Sequence, residues 1–365
     1  MTAAPRITKL GPDQAGLKEL MRRLAEATST EAPIISAYVD VRPGAHGERP
    51  AERPEMRTVR ARLRAIGDHL APHSPAGLSF AADHQRIERF LGDEDFAGVD
   101  GVAIFACRHI GLWETVSARE ALETSVSAGP TADLFGLAGL LDETVAVVVA
   151  VVDTNTCRLF VTRRGNLEER RGPDEPPEEH QRHDQGGWSQ ARYQRHVDMQ
   201  DKRFAKEAAA AIERLVRRER AQHVILAGDE RTIPVLDGEL SEAVRPLVDY
   251  VARIAMRAPR DEVRDEILPV LAAIEEAEGM DAADRAIAGE QAGGMGVTGI
   301  DATMVALEAG QVDQLVIDDA APIDPDLRAE LVRQAALTDA GVEIVHEHPG
   351  LARREGVGAT LRFRI

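Results

Sequence analysis

Apolar residues along the chain fall into short dense runs separated by stretches with helical periodicity, and this alternation sets the fold class. IISAYVDV (Ile34 to Val41) and GVAIFAC (Gly101 to Cys107) are continuous apolar runs of strand length, as expected for strands covered on both faces. Between them a Pro/Gly/Glu-rich loop precedes a helix over about Met56 to His69, followed by LSFAAD and a helix near Gln85 to Leu91. TVAVVVAVVD (Thr144 to Asp153) and TCRLFVTRR flank a turn at Thr154 and Asn155, so they predict a hairpin. From Gly165 to Gln185 the periodicity stops and Pro, Glu, Arg and His accumulate. A loop of that length exceeds the usual ~12–15 residues and belongs to the functional or disordered class.

A helix is predicted from about Ala191 to Arg220. Val197, Phe204, Ala208, Ala211 and Leu215 recur at steps of three, four and seven, which gathers them on one face. Arg192, Arg195, Lys202 and Lys206 fall on the opposite face. HVILAGDE (His223 to Glu230) predicts a buried strand, LDGELSEAVRPLV a helix and LVDYVARIAM a further strand. After Pro259 come a charged helix from Asp261 to about Glu278, a helix near Ile300 to Gly310 and the strand QLVIDD (Gln314 to Asp319). A helix near Asp326 to Asp339 and the strands VEIVHE (Val342 to Glu347) and ATLRFRI complete the series. Repeated strand-helix alternation predicts an α/β protein. Its 365 residues predict three α/β domains, placed at 1–138, 139–262 and 263–365.

Charge alters the picture more by its distribution than by its sum of −18. From Asp261 onward 22 acidic residues face 8 basic ones, a balance of −14, whereas the middle of the chain is locally basic. A negative field argues against indiscriminate coating of nucleic acid, and no DNA partner is expected. No run approaches the ~18–20 apolar residues of a membrane helix, and the opening MTAAPRITKL lacks a secretory run, so no membrane association and a cytoplasmic location are expected. Cys107 and Cys157 lie inside apolar runs and are expected to be buried thiols.

The stretch richest in chemistry is Gly186-Gly187-Trp188-Ser189-Gln190, between the long polar loop and the basic helix. Two glycines strip a stretch of backbone of side chains, so it can enter a narrow site. A glutamine amide donates and accepts hydrogen bonds without titrating, which suits orienting water and stabilising an oxyanion. Gln185 is a second candidate for that role. Trp188 is suited to stacking on a base and Ser189 lies beside it; Arg192, Arg195, Lys202 and Lys206 are suited to RNA phosphates. His180 and His183 sit in the Pro-rich loop with no partner cluster, so no metal is expected. Gly294, Gly296 and Gly299 match a dinucleotide-binding spacing only formally and are expected to form a hinge. No cofactor is implied. Asp153, at a strand end, is expected to be a turn residue rather than a nuclease carboxylate.

GGWSQARYQRHVD, GIDATMVALEAGQVDQLVIDD and GVGATLRFRI together resemble the archaeo-eukaryotic class I release factor superfamily, which includes Pelota. The bacterial members grouped with the Vms/Ankzf peptidyl-tRNA hydrolases look closest, because they too shift the glutamine downstream of the glycine pair. The resemblance is specific over roughly the last two thirds. It implies a ribonuclease-H-like middle domain, a third domain that is a compact α/β/α sandwich, and hydrolysis of the nascent-chain ester with Gln190, Gly186 and Gly187 at the reacting centre. It also implies the ribosome and peptidyl-tRNA as partners, with a translational GTPase or ribosomal protein on the acidic third domain. A non-catalytic factor for ribosome rescue or hibernation is the alternative.

Overall fold

The computed structural model of the chain describes residues 7–9, 14–42, 53–93, 96–118, 121–142, 146–163, 166–173, 188–250 and 254–364. Two compact units emerge: one joins residues 1–143 with 276–365, and the other is residues 144–275.

The first stretch of unit one runs β1 (Ile7–Lys9), α1 (Gln14–Glu26), β2 (Ile34–Asp40), α2 (Pro54–Gly67), α3 (Pro75–Asp93), β3 (Gly101–Cys107), β4 (Leu112–Ala118), β5 (Ser125–Gly129) and α4 (Phe135–Asp142). The sheet order is β1-β4-β3-β2-β5, antiparallel except for β1 on β4. Strand periodicity divides the side chains between two cores. Ile35, Ala37, Val39, Val102, Ile104 and Ala106 meet α2 and α3 on one face. Ile34, Tyr38, Ala103, Phe105 and Cys107 face α1 and α4 on the other.

Unit two contains β6 (Val147–Val152), β7 (Cys157–Arg163), β8 (Asn166–Arg170), α5 (Trp188–Glu219), β9 (His223–Gly228), α6 (Thr232–Glu239), β10 (Val248–Tyr250) and the first half of α7 (Arg260–Gln291). Its sheet is ordered β10-β9-β6-β7-β8; β6, β7 and β8 form an antiparallel meander, and β9 and β10 continue parallel to β6. Val148, Ala150, Leu159 and Leu226 pack under α5 and α6. Val149, Val151, Phe160 and Ile225 pack under Val263, Ile267 and Leu271 of α7.

The remaining elements return to unit one: β11 (Gly296–Thr298), α8 (Ile300–Glu308), β12 (Val312–Asp318), α9 (Pro325–Leu337), β13 (Gly341–Val345), α10 (Pro349–Ala352) and β14 (Val357–Leu361). The order is β11-β14-β12-β13, with β14 antiparallel to both neighbours and β12 parallel to β13. Val316, Val345 and Leu351 pack on Ala282, Ala283 and Ile287 of α7. The opposite face, Leu315, Ile317 and Ala359 among it, shares a core with α8, α9, α1 and α4. Leu17, Leu20, Met21 and Leu24 of α1 are each at most 2 % exposed there, each burial worth about 1.5–3 kcal/mol. Arg333 of α9 donates to the Ala25 carbonyl at 3.2 Å, so residues from the first and last thirds of the chain share hydrogen bonds as well as apolar contact.

The α/β expectation holds, with three sheets. Several elements differ. Leu78–Asp83 and the helix expected beyond it are one helix, α3; its register leaves Leu78 59 % exposed and buries Phe80 and Ile87, so the apolar run is a helical stripe. LDGELSEAVRPLV is not one helix: α6 ends at Glu239, and Pro246 sits in a separate 3-10 turn. The strand expected over LVDYVARIAM is limited to β10, and residues 251–253 lie outside the described residues. Of the three glycines expected as a hinge, Gly294 lies in the bend between α7 and β11, Gly296 opens β11, and Gly299 directly precedes α8. Both cysteines are buried free thiols, as their apolar runs implied.

Candidate functional site

Three strands bring backbone to one edge of the unit-two sheet. Parallel β6 and β9 end there together, Val152 opposite Gly228, and β7 begins there at Cys157, paired with Val152. β8 runs back toward the same edge; after Arg170 pairs with Leu159, the chain continues through Gly172 and Pro173. The edge is tightly drawn at two points. A Cβ on Gly228 would lie 2.0 Å from the Val152 carbonyl oxygen, and one on Gly172 would lie 1.8 Å from that of Cys157. The Cys157 N–H donates to the Pro173 carbonyl at 2.9 Å. Burial pushes the Cys157 thiol up to about 12, because a thiolate there would be desolvated.

Two carboxylates stand at this edge. The Asp153 N–H donates to the Thr156 carbonyl at 2.9 Å, and Asp153 Oδ1 accepts the Thr154 N–H at 2.6 Å, so this residue closes the hairpin turn as expected. Its neighbour-strand counterpart, Asp229, was not foreseen as a companion. Asp229 Oδ1 accepts the N–H of Arg231 at 2.9 Å and of Thr232 at 3.0 Å at the start of α6. The Arg231 N–H bond, joined by those of Thr232, holds the Asp229 carboxyl below the usual carboxylate range. Both acids therefore serve the backbone, and among the described residues no group of His, Cys, Asp and Glu is arranged to hold a metal.

α5 contains 32 residues, about 48 Å at 1.5 Å per residue, whereas a strand of six or seven residues spans about 20–23 Å. The helix is twice as long as the sheet it covers. Phe204, Ala205, Ala208, Ala209, Ile212, Leu215 and Val216 are buried against the sheet, and Ala211 with them, which bears out the apolar face over that portion. Lys202 and Lys206 are exposed on the other side, as the periodicity predicted. Lys202 Nζ lies 3.8 Å from Glu239 Oε1 at the end of α6, a pairing of an exposed cation with a part-buried acid that solvent largely screens. Glu213 of α5 accepts the Ser241 N–H at 2.9 Å, and Arg245 donates to the Leu240 carbonyl at 2.9 Å, so the segment after α6 is stitched along α5. The Ser241 N–H keeps the Glu213 carboxyl below its usual range.

The helix begins at Trp188, three residues before the expected start. Trp188, Ser189 and Gln190 are thus its first turn and not part of a loop tip. These residue types are admissible in a helix, and glycine is the poorer former by about 1 kcal/mol. Gln190 is the third residue of α5, among the four whose N–H groups lack an intrahelical acceptor. The backbone of Arg192, Arg195 and Val197 is also helical. Gly186, Gly187 and Gln185 lie outside the described residues, as do Glu178, Glu179, His180, His183 and Asp184. Reading from sequence missed Gly172, Gly228 and Asp229. The Gly172-Pro173 dipeptide was a visible punctuation mark, and Asp229 after an apolar run was a visible helix-start signal.

Residues 134–272, the middle of the chain, match the bacterial archaeo-eukaryotic release factor family 10, so this stretch is release-factor-like. No curated protein sequence matches the chain. Among solved structures, an archaeal translation termination factor, aRF1, is 17 % identical over 97 % of this chain and 99 % of its own, with a TM-score of 0.28. Archaeal Pelota, described as ribosome-bound with ABCE1, is 16 % identical over 97 % of this chain and 95 % of its own, with a TM-score of 0.42. S. cerevisiae Dom34, described as interacting with Hbs1, is 8 % identical over 70 % of this chain and 74 % of its own, with a TM-score of 0.41. Among the described residues no helix is long and apolar enough to cross a membrane.

Proposed function

We propose that the chain is a ribosome-associated peptidyl-tRNA hydrolase that cleaves the nascent-chain ester on stalled complexes, as in the Vms/Ankzf-like branch. The observation that carries this reading is the extent of the family match, 134–272, which encloses Gly186 to Gln190 and all of α5. The meander continued by two parallel strands supports a ribonuclease-H-like middle domain. In this reading the chain comprises modules 1–138, 139–262 and 263–365, the last of them an α/β/α sandwich carrying the acidic excess toward a GTPase or ribosomal protein. Gly186 and Gly187 are the thin backbone. Gln190 orients a water that attacks the ester carbonyl carbon and steadies the oxyanion that follows; collapse breaks the bond to the ribose oxygen of the tRNA, which takes up the proton given up by the water and leaves as the hydroxyl. The N–H groups at the head of α5, which have no acceptor within the helix, add positive potential beside it. Trp188 stacks on an exposed base, Ser189 supports it, and Arg192, Arg195, Lys202 and Lys206 bind phosphates without reading sequence.

Release of labelled peptide from stalled ribosomes tests the reading, with the parent chain compared against Gln190→Ala and Gln185→Ala. Loss of one oxyanion or water-positioning donor lowers the rate about 10²–10³-fold. That loss is expected for Gln190→Ala alone. Equal release by parent and Gln190→Ala refutes its role, and the same loss in Gln185→Ala only would transfer the role to Gln185. One observation favours the second reading, a non-catalytic rescue or hibernation factor: from Asp261 onward 22 acidic residues face 8 basic ones, which suits docking to a basic partner. Tight binding to ribosomes with no release by the parent chain selects that alternative.

A further inference from the structure

We propose that the outer face of α2 is a second RNA-binding surface, which grips phosphates through Arg57, Arg62 and Arg64. That the polyanion is RNA rests on the proposed function; that the face binds a polyanion rests on α2 itself. Five arginines and a single acid occupy the stretch from Arg53 to Arg64. Met56, Val59 and Leu63 bury the inner face of the helix in the core, and Arg57, Arg62 and Arg64 are exposed. The other two arginines are engaged: Arg53 donates to the Val41 carbonyl at 2.7 Å, and Arg60 lies 3.4 Å from Glu88 of α3. Among the described residues no carboxylate pairs with Arg57, Arg62 or Arg64.

Arginines on other helices of the chain stand beside acids at helical spacing. Arg22 lies 2.8 Å from Glu19 and 3.0 Å from Glu26, Arg333 lies 2.7 Å from Glu330, and Arg217 lies 3.6 Å from Glu213. On α2 the spacings of three and four instead repeat like charge, Arg57 to Arg60 and Arg60 to Arg64, which weakens a helix until the charge is met from outside. Between the cations the helix carries short side chains: Thr58, Ala61 and Ala65 are exposed on the arc from Arg57 round to Arg62. A phosphate backbone can therefore approach α2 closely, with guanidinium groups on both sides over the roughly 10 Å from Arg57 to Arg64. The planar fork of arginine matches phosphate oxygens bidentately. The chain as a whole, at −18, repels polyanions, so attraction needs a local cluster of cations without acids, as on this face. Such contacts position without reading sequence, and they are additional to those proposed for the cations of α5.

The test uses the full chain and purified vacant ribosomes. Affinity is measured between about 50 and 200 mM salt for the parent, for the triple variant Arg57→Gln/Arg62→Gln/Arg64→Gln, and for a control triple, Arg22→Gln/Arg217→Gln/Arg264→Gln. The control removes the same charge from positions paired with acids. Losing three phosphate contacts is expected to lower the slope of log affinity against log salt by about 2–3, while the control matches the parent. The urea midpoint of the α2 triple is expected to be no lower than the parent's, because no ion pair is lost; a lower midpoint makes the arginines structural and overturns the inference. A thiol-linked photocrosslinker on Ala61→Cys, exposed where Cys107 and Cys157 are buried, is expected to mark ribosomal RNA. Marking of ribosomal protein alone overturns the inference in favour of a protein partner. A slope equal to the parent's, or an equal drop in the control, also overturns it, and the proposed function stands if peptide release still depends on Gln190. An α2-dependent slope with no release by the parent overturns the hydrolase reading and keeps this surface. Failure of the parent to bind ribosomes overturns both.

Discussion

Replacing Asp318 with alanine removes three backbone anchors at once. This residue ends β12, is 1 % exposed, and accepts the Ala320 and Glu347 N–H groups on Oδ1, both at 3.1 Å, and the His348 N–H on Oδ2 at 3.0 Å. The turn that it holds contains Glu347 at φ 53°, a conformation that a non-glycine residue adopts only when its surroundings enforce it. The His348 amide is buried, so its lost acceptor costs about 1–3 kcal/mol, while the two part-buried amides turn to water at about 0.5–1.5 kcal/mol each. Asp318→Ala is therefore expected to destabilise unit one by about 4 kcal/mol. Asp318→Asn keeps the Oδ1 acceptor and faces His348 with an NH₂ group, so about 2 kcal/mol is expected. Urea unfolding followed by Trp113 fluorescence in a Trp188→Phe background measures both variants, because these are the chain's two tryptophans and Trp113 belongs to unit one. Hydrogen exchange at the His348 amide reports the turn directly. A cost below about 1 kcal/mol for alanine, or equal costs for alanine and asparagine, refutes the reasoning.

Two further outcomes follow from titratable groups in unit two. The Asp229 carboxyl is held low by backbone N–H bonds, so its stabilising contribution is complete above the unfolded-state value near about 4 and is lost as pH falls through the lower folded value. Asp229→Ala should thus be less stable than the parent at neutral pH, and the difference should shrink as pH falls below about 4; a constant difference from neutral pH downward contradicts the assignment. Cys157, buried and pushed up to about 12, should resist iodoacetamide at pH 8 in the native chain and react once urea unfolds unit two, and rapid native labelling at Cys157 contradicts its burial.

The buried strands were legible because two-sided burial writes itself as unbroken apolar sequence. β2, β3, β6 and β9 lie within the runs that predicted them, and β12 and β13 overlap theirs, starting two residues and one residue earlier. The apolar face of α5 was legible for the same reason, Phe204, Ala208, Ala211 and Leu215 returning at helical spacing. Elements at sheet margins left weaker marks. β8 is an edge strand whose sequence, Asn-Leu-Glu-Glu-Arg, is polar apart from Leu167, and it was absorbed into the expected loop. β5 is an edge strand of small residues, Ser-Val-Ser-Ala-Gly, with no dense run. α7 continues past the expected end through Gly279, where a Cβ would meet Val345 Cγ1 at 2.8 Å; a glycine that looked like a terminator is a packing contact with β13. At the candidate site, Lys202 and Lys206 could be placed from periodicity, whereas Gly172 could not be connected to Cys157. That contact joins residues fifteen apart across a strand pair that the sequence did not advertise.

The shared core of unit one imposes an order on the chain's own synthesis. Unit two is contiguous, so all its strands have been made once residue 275 has left the exit tunnel. The apolar faces of α1 and α4, made much earlier, must wait for α9 and for β14, which lies inside its sheet between β11 and β12. At about 5–20 residues per second, the stretch from 275 to 361 takes roughly 4–17 s, during which Leu17, Leu20 and Leu24 lack their final partners. A chain interrupted in that interval would present a finished middle unit beside an unfinished outer one, leaving sticky helices for chaperones and proteases to find.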